Sequence, residues 1–522
     1  MEVLKSSYTC RMLCTLWPLI IAGWNDSAVG RTAKKLCGYI ADGVRHSAIC
    51  QLVWRDGKLP ALWPDSLTCR ILTVLMNLPC ALLRWLYRLG KNLWDGSLFF
   101  RLMSGIGGTS FLFVGLFLFV MLAAPHEVWD NRYALLGSMA LLLIFYLGSG
   151  ARPSHNLDGR ALGPYFVFFM AFVVGSFLSS LSWGDSIRFV GFYLTCFLLV
   201  LLTVSAVKRY EQLHILIGLV LLGLGIAAIY GCYQGYIGVE IDYSQQDMSI
   251  NVGMPGRIYS FFDNPNNFAE ILVMLVPMTF AMFLNCKHWW GKLFSLGVLG
   301  VCVISLGQTY SRSGWIGFTL AVMVFLAFLN WKLIPLMVVL GICCIPLLPE
   351  TIYNRILTIG NRKDRSVSYR GAIYAASSTL MKDYWLRGVG LGSDILRDVF
   401  HDYRPMFDGN YPIHTHNNYL QMWAELGLFG GISFVAMLFY QLKAGVKSFI
   451  SGTDRRVKNI LAAAVAGFCG ILLISVAEYT WFYPRNMFLY FALFGVISCC
   501  IKLGKKSISE HDFSQTKNRQ RV

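Results

Sequence analysis

HTHNNYLQMWAELGLFG, residues 414–430, stands where a polar segment gives way to an apolar run of membrane length. A histidine exchanges a proton near neutral pH, and holding one at the mouth of an apolar helix is costly enough to point to chemistry. The run itself sets the scale for the whole chain, because about 20 apolar residues cross about 30 Å of hydrocarbon. Comparable runs recur at about 109–125, 131–148, 163–182, 187–206, 213–235, 266–285, 293–308, 313–330, 332–348, 418–440, 459–477 and 486–502. The pattern predicts an all-α integral membrane protein with about twelve transmembrane helices.

Composition agrees. Of 522 residues, 56% are hydrophobic and 14% charged, which is too apolar for a soluble protein of this length. The net charge of +17 is first sorted by side of the membrane. Pairs such as Lys208-Arg209 and Arg455-Arg456 fall in loops that twelve spans place inside, and the short outer loops are nearly free of Lys and Arg. Both termini are therefore expected in the cytoplasm of a multi-pass cytoplasmic (inner) membrane protein, and a nucleic-acid partner is not. Fifteen cysteines occur, yet none between residues 345 and 468, so a disulfide framework outside the cell is not expected.

Five regions follow. Residues 1–108 form a basic cytoplasmic or interfacial region, and 109–348 hold spans one to nine. A large extracytoplasmic loop covers 349–417, between spans nine and ten. Spans ten to twelve occupy 418–502, and 503–522 form a basic tail. Within the first region, residues 67–94 mix apolar and basic residues around Pro79 and resemble a cationic interfacial helix pair on anionic lipid; an anchoring tail is the competing reading. The short run near Leu13 to Ala22 lacks a small-residue cleavage site and is not expected to be a cleaved signal. In the large loop a helix is expected over about Ser368 to Lys382, and RGVGLGS, with Gly388, Gly390 and Gly392, reads as a turn. The second outer loop, about 236–265, is acidic early, at Glu240, Asp242 and Asp247. Its Asn264 is placed to cap span six with Pro265 in the first turn. No GxxxxGK[ST] or GxSxG element is present.

With this topology the conspicuous polar residues gather outside. Arg257 precedes span six, Arg312 lies in SRSGW before span eight, Arg370 and Arg387 lie in the large loop, and His416 sits at the mouth of span ten. Positive-inside bias makes arginines scarce there. A guanidinium offers a planar fork of donors to phosphate oxygens, so several around one pocket suit a diphosphate and stabilise it as a leaving group without a metal. His416 is then the proton-handling group; a helix-capping histidine and structural, snorkelling arginines are the alternatives. At about 100° per residue, Trp423, Gly427 and Gly430 return to within about 40° of the His416 face, which would let another helix approach. Glu425 falls on the opposite face and is expected to bond to a neighbouring span. Glu270 shares a face with Asn266 and is placed to orient a ligand or meet an outer arginine. A metal site built on His414, His416, His401 and Asp402 lacks a clear full ligand set.

These residues resemble the O-antigen ligase and Wzy-type polysaccharide polymerase superfamily of integral membrane glycosyltransferases. His416 and Asn417, followed after nine residues by Gly427 and then by Gly430, are similar to that family's signature after its large loop. SRSGW, with Arg312 and Trp315, is similar to its Thr-Arg-Ala-x-Trp element, with Ser311 and Ser313 as departures. Asn264 to Asn266, preceded by Arg257, and RGVGLGS also fit. The resemblance covers about residues 109–502. It implies a GT-C-like helical fold and a metal-independent, inverting transfer of a glycan from an undecaprenyl-diphosphate carrier to a glycan, lipid or protein acceptor, with no cofactor. Arg257, Arg312 and Arg370 would engage the diphosphate, and His416 would activate the acceptor or assist at the phosphate. A protein O-oligosaccharyltransferase shares the signature. From another class, a lipid-linked glycan transporter or flippase would show ionisable residues near the midplane and paired repeats, and neither is evident. A binding-only scaffold also stays open.

Overall fold

The computed structural model describes residues 57–243, 253–360, 365–403, 405–406 and 408–519, with 15, 19, 22–23, 26–47, 51 and 54–55 of the N-terminal stretch. Asp247 and most of the run from Leu13 to Ala22 lie outside the described residues. The chain divides into two compact units, residues 1–62 and 63–522. In the first, α1 (Ala28–His46) starts at Ser27, whose side chain accepts from Gly30 N–H at 2.9 Å, and α2 (Lys58–Leu62) follows.

The second unit is built from helices because apolar runs in lipid have no other partner for their backbone N–H and C=O groups. In order they are α3 (Leu67–Leu89), α4 (Lys91–Gly96), α5 (Leu98–Gly108), α6 (Ser110–Ala123), α7 (Asn131–Leu147), α8 (Pro164–Leu178), α9 (Trp183–Ala206), α10 (Tyr210–Ile237), α11 (Pro265–Asn285), α12 (Trp289–Gln308), α13 (Arg312–Asn330), α14 (Leu333–Cys344), α15 (Glu350–Leu357), α16 (Arg365–Tyr384), α17 (Ser393–Phe400), α18 (Asn418–Ser451), α19 (Arg455–Ile474) and α20 (Pro484–Arg519). Local signals set several starts. Asn264 accepts from Asn266 N–H at 2.8 Å with Pro265 at the first position of α11, and Asn417 accepts from Leu420 N–H at 3.0 Å to open α18.

Among the described residues, nine helices are long and apolar enough to cross a membrane, or up to eleven if two bent pairs each count as one. Each of the twelve expected runs falls in an apolar helix, but length separates them. α7 has 17 residues and α8 has 15, and 15 residues rise about 22 Å, short of the hydrocarbon thickness. α6 is one arm of a pair bent by 62° against α5, and the segment from Leu333 to Leu347 turns back into α15 at 120° where Pro346 and Pro349 stop it. α3 passes the same test and continues for 23 residues through Pro79, so that proline does not split it.

α11, α19 and α20 are the best-buried helices, and the small residues Ala462, Ala463, Ala464, Ala466 and Gly467 let α19 pack closely against α11. At one end of the bundle, Lys208 Nζ donates to Ser154 O at 3.2 Å and Lys502 pairs with Asp158 at 3.1 Å. The chain alternates direction from α9 onward, so the starts of α11, α13, α18 and α20 share the opposite end. There α16 and α17 cover a small apolar core of Leu380, Met381, Val389, Ile395, Leu396 and Phe400. The helix expected near Ser368 to Lys382 is α16.

Candidate active site

The turn between α12 and α13 organises the arginines. Arg257 Nε donates to Thr309 O at 2.7 Å and Arg355 Nε to Tyr310 O at 3.3 Å; Tyr310 itself sits at φ +49°. Arg312 Nη1 donates to Thr358 O at 3.0 Å, at the C-terminus of the helix that carries Arg355. Arg257 Nη2 donates to Asn266 Oδ1 at 2.6 Å. Arg257 and Arg355 are buried and Arg312 half-buried. Burial, then the neighbouring Arg355, pulls the Arg257 guanidinium down to about 9. Cations gathered this closely raise one another's energy and lower that of an anion placed among them.

Beside this group lies Glu478, in the connection between α19 and α20. Its Oε1 accepts from Arg370 Nη2, and its Oε2 accepts from His416 Nδ1 at 3.2 Å. Burial works to raise its pKa, but Arg370 and then His416 outweigh it and hold the carboxyl at about 2. An ionised carboxylate only accepts, so Nδ1 of His416 is the donor to Glu478, and Nε2 is the ring nitrogen that this contact leaves unengaged. His416 has φ +48°, an unusual backbone for a residue with a side chain. Its N–H donates to His414 Nδ1 at 3.2 Å, and its carbonyl accepts from Tyr374 OH at 3.3 Å. His414 packs on Phe482 at 4.5 Å, and burial, then His416, lowers it to about 3, which leaves it neutral and able to accept. Asn417 Nδ2 donates to Val476 O at 2.9 Å and Asn418 N–H to Ser475 O at 2.9 Å, tying the Glu478 connection to the start of α18.

The structure thus brings together Arg257, Arg312, Asn266, Arg370, His416 and Asn417, and adds Arg355 and Glu478. Arg387 stands apart, exposed, donating to Ser179 O at 2.8 Å. Trp315 is a staple, with Nε1 donating to Leu306 O at 2.9 Å. Glu270 accepts from Asn486 at 2.6 Å rather than from an arginine. Glu425 accepts from Gly392 N–H at 2.9 Å, from Gln421 Nε2 at 2.7 Å and from Tyr479 OH at 3.5 Å, so it joins its own helix to two connections rather than to a neighbouring span. Gly427 and Gly430 do not form a face for another helix. Gly427 has φ +72° and kinks α18, and what crowds it is the backbone at Leu386 and Arg387; Gly430 lies against Leu426 of its own helix. His401 packs on Tyr411 with ring centroids 4.2 Å apart, and among the described residues no group of three or more His, Cys, Asp or Glu is arranged to hold a metal ion.

A groove of about 790 Å³ begins at Tyr374 and Asn417, beside His416, and runs along α18 past Trp423, Ile432 and Val435 to Phe439. Its walls are apolar and it descends into a segment of membrane-spanning length.

A multi-pass helical membrane protein with a histidine, a carboxylate and clustered arginines at one end of the bundle is the class these observations define. Residues 296–435 match the family model described as O-antigen ligase. That stretch is similar to the superfamily that the signature resembles, and the similarity supports a glycan-transfer function in general. The matched stretch runs from within α12 to within α18 and includes Arg312, Arg355, Arg370 and His416; Arg257, Asn266 and Glu478 lie outside it. No curated protein matches the chain.

Proposed function

We propose that the protein transfers a glycan from an undecaprenyl-diphosphate carrier to an acceptor at the extracytoplasmic face of the cytoplasmic membrane. The reading has twelve crossings in a GT-C-like bundle, both termini in the cytoplasm, and regions bounded at residues 108, 348, 417 and 502. The observation that carries it is Glu478, buried between His416 and Arg370 within reach of the Arg257 cluster.

In this reaction His416 Nε2 takes the proton of an acceptor hydroxyl as its oxygen attacks the anomeric carbon. The bond from that carbon to the phosphate oxygen breaks, and the electron pair leaves with the diphosphate, whose charge Arg257, Arg312, Arg355 and Arg370 stabilise. Attack opposite the leaving group inverts the anomeric centre, and the arginines supply the positive charge a divalent ion would otherwise bring. The groove along α18 suits a prenyl or acyl chain. Acceptors open to this site are a glycan, a lipid or a protein.

The test is transfer by full-length protein in membranes supplied with a polyprenyl-diphosphate-linked glycan, in chelator. Wild type should transfer, and His416→Ala should lose about 10²- to 10⁴-fold while still inserting normally. Normal transfer by that variant overturns the assignment, and activity that needs a restored divalent ion overturns metal independence.

A further inference from the structure

α3 is long and apolar enough to cross a membrane, yet its contacts run along one end of the bundle. Just before it, Trp63 Nε1 donates to Arg160 O at 3.1 Å. Asn77 Nδ2 donates to Leu157 O at 3.0 Å and Leu157 N–H returns a bond to Asn77 Oδ1 at 2.8 Å. Arg84 Nη1 donates to Pro153 O at 3.0 Å and to Asn156 Oδ1 at 2.8 Å. All these partners belong to the connection between α7 and α8, which Lys208 and Lys502 tie to the neighbouring helix ends through Ser154 and Asp158. A largely non-helical segment with this many charged groups does not run through hydrocarbon, so it marks one membrane surface. A helix that follows it from Trp63 to Arg84 lies along that surface.

The opposite face of α3 is apolar and at least half exposed at Leu67, Ile71, Val74, Leu78 and Leu82, which recur every three or four residues as one stripe. Arg70 and Arg88 border the stripe about 60–80° around the helix, and the Arg70 side chain is 67% exposed. The apolar surface continues through exposed Leu98 and Phe99 of α5, which leads into α6. An apolar stripe edged by cations and continuous with a membrane-entering helix fits a phospholipid leaflet.

We propose that α3 lies in the plane of the membrane, with its leucine stripe in the acyl region of one leaflet and Arg70 and Arg88 at the phosphates of anionic phospholipid. Clustered Lys and Arg mark this leaflet as the cytoplasmic one. The inference stands independently of the glycan-transfer reading.

Sidedness is decided with full-length protein carrying p-azidophenylalanine at Asp65, at Asn92 or, as reference, at Thr453, labelled by an impermeant cyclooctyne in native membrane vesicles of both orientations. Asp65 and Asn92 should both label with Thr453; label on opposite sides would make α3 a span and overturn the proposal. For the occupant, benzoylphenylalanine at Val74 or Leu78 is irradiated in vesicles of phosphatidylethanolamine and phosphatidylglycerol. Phospholipid adducts are expected, and adducts to residues 1–62 or to a second protein, with none to lipid, would overturn it. Arg70→Gln with Arg88→Gln should at least halve the phosphatidylglycerol share of the adducts; an unchanged share would remove the headgroup contact.

Discussion

His416 and Glu478 lie 62 residues apart in the chain and meet at 3.2 Å in the fold. The carboxylate fixes the proton on Nδ1 and would favour an imidazolium formed during proton transfer, while its other oxygen holds Arg370.

Glu478→Gln should therefore slow transfer by about 10- to 100-fold, the range expected when one charge-assisted hydrogen bond is lost. A purely structural role for Glu478 predicts lower protein levels with an unchanged rate per molecule, so kcat measured on purified, quantified protein separates the two.

Arg355 and Arg257 repel each other in a buried place. Replacing Arg355 by Gln should leave thermal stability unchanged or raised, because like-charge repulsion is relieved, yet raise the KM for the lipid-linked donor about tenfold or more. Arg312→Lys should impair transfer as well, since a point charge does not reproduce the fork. Arg387→Ala, an exposed clamp on Ser179, should change donor KM by less than about threefold. Stability and KM measured together on the three variants test the partition.

The split between what the sequence revealed and what it hid follows from chain distance. His416, Arg257, Arg312 and Arg370 were readable because hydropathy and positive-inside bias sort residues to one side of the membrane. Arg355 was hidden because the run at 332–348 was read as a span followed by loop, whereas the chain turns back by 120° and a short helix carries this arginine to the cluster. Glu478 sits just past a predicted span, and its local mark is slight: a lone acidic residue in the short connection between α19 and α20. The glycine spacing in 427–430 was read at helical periodicity, while its meaning is a left-handed kink, which periodicity does not encode.

Gly427→Ala should be among the more damaging small changes in the chain. Its φ of +72° is strained for any side chain, and the added Cβ would meet Leu386 O and come 2.6 Å from Arg387 C. A loss of roughly 1–3 kcal/mol from backbone strain, with more from the clash, is expected. Gly371→Ala in α16 is the control, because nothing lies within 4 Å of its Cβ; it should be neutral or gain up to about 1 kcal/mol. Thermal unfolding in detergent reads both.

Acid should loosen this end of the bundle through two groups acting in the same direction. Glu478 is held at about 2 against 4.5 for a free side chain, so its contribution is complete above about 4.5 and is lost as pH falls toward 2. His414 is lowered from 6.5 to about 3, so between those values the unfolded chain takes up a proton that the folded site refuses, and stability again falls with pH. Wild-type protein should thus lose thermal stability from about pH 6.5 downward and more steeply below 4.5. His414→Gln should flatten the upper part of that decline and Glu478→Gln the lower part. A pair of melting curves with unchanged slopes would mean that neither group titrates as its surroundings require.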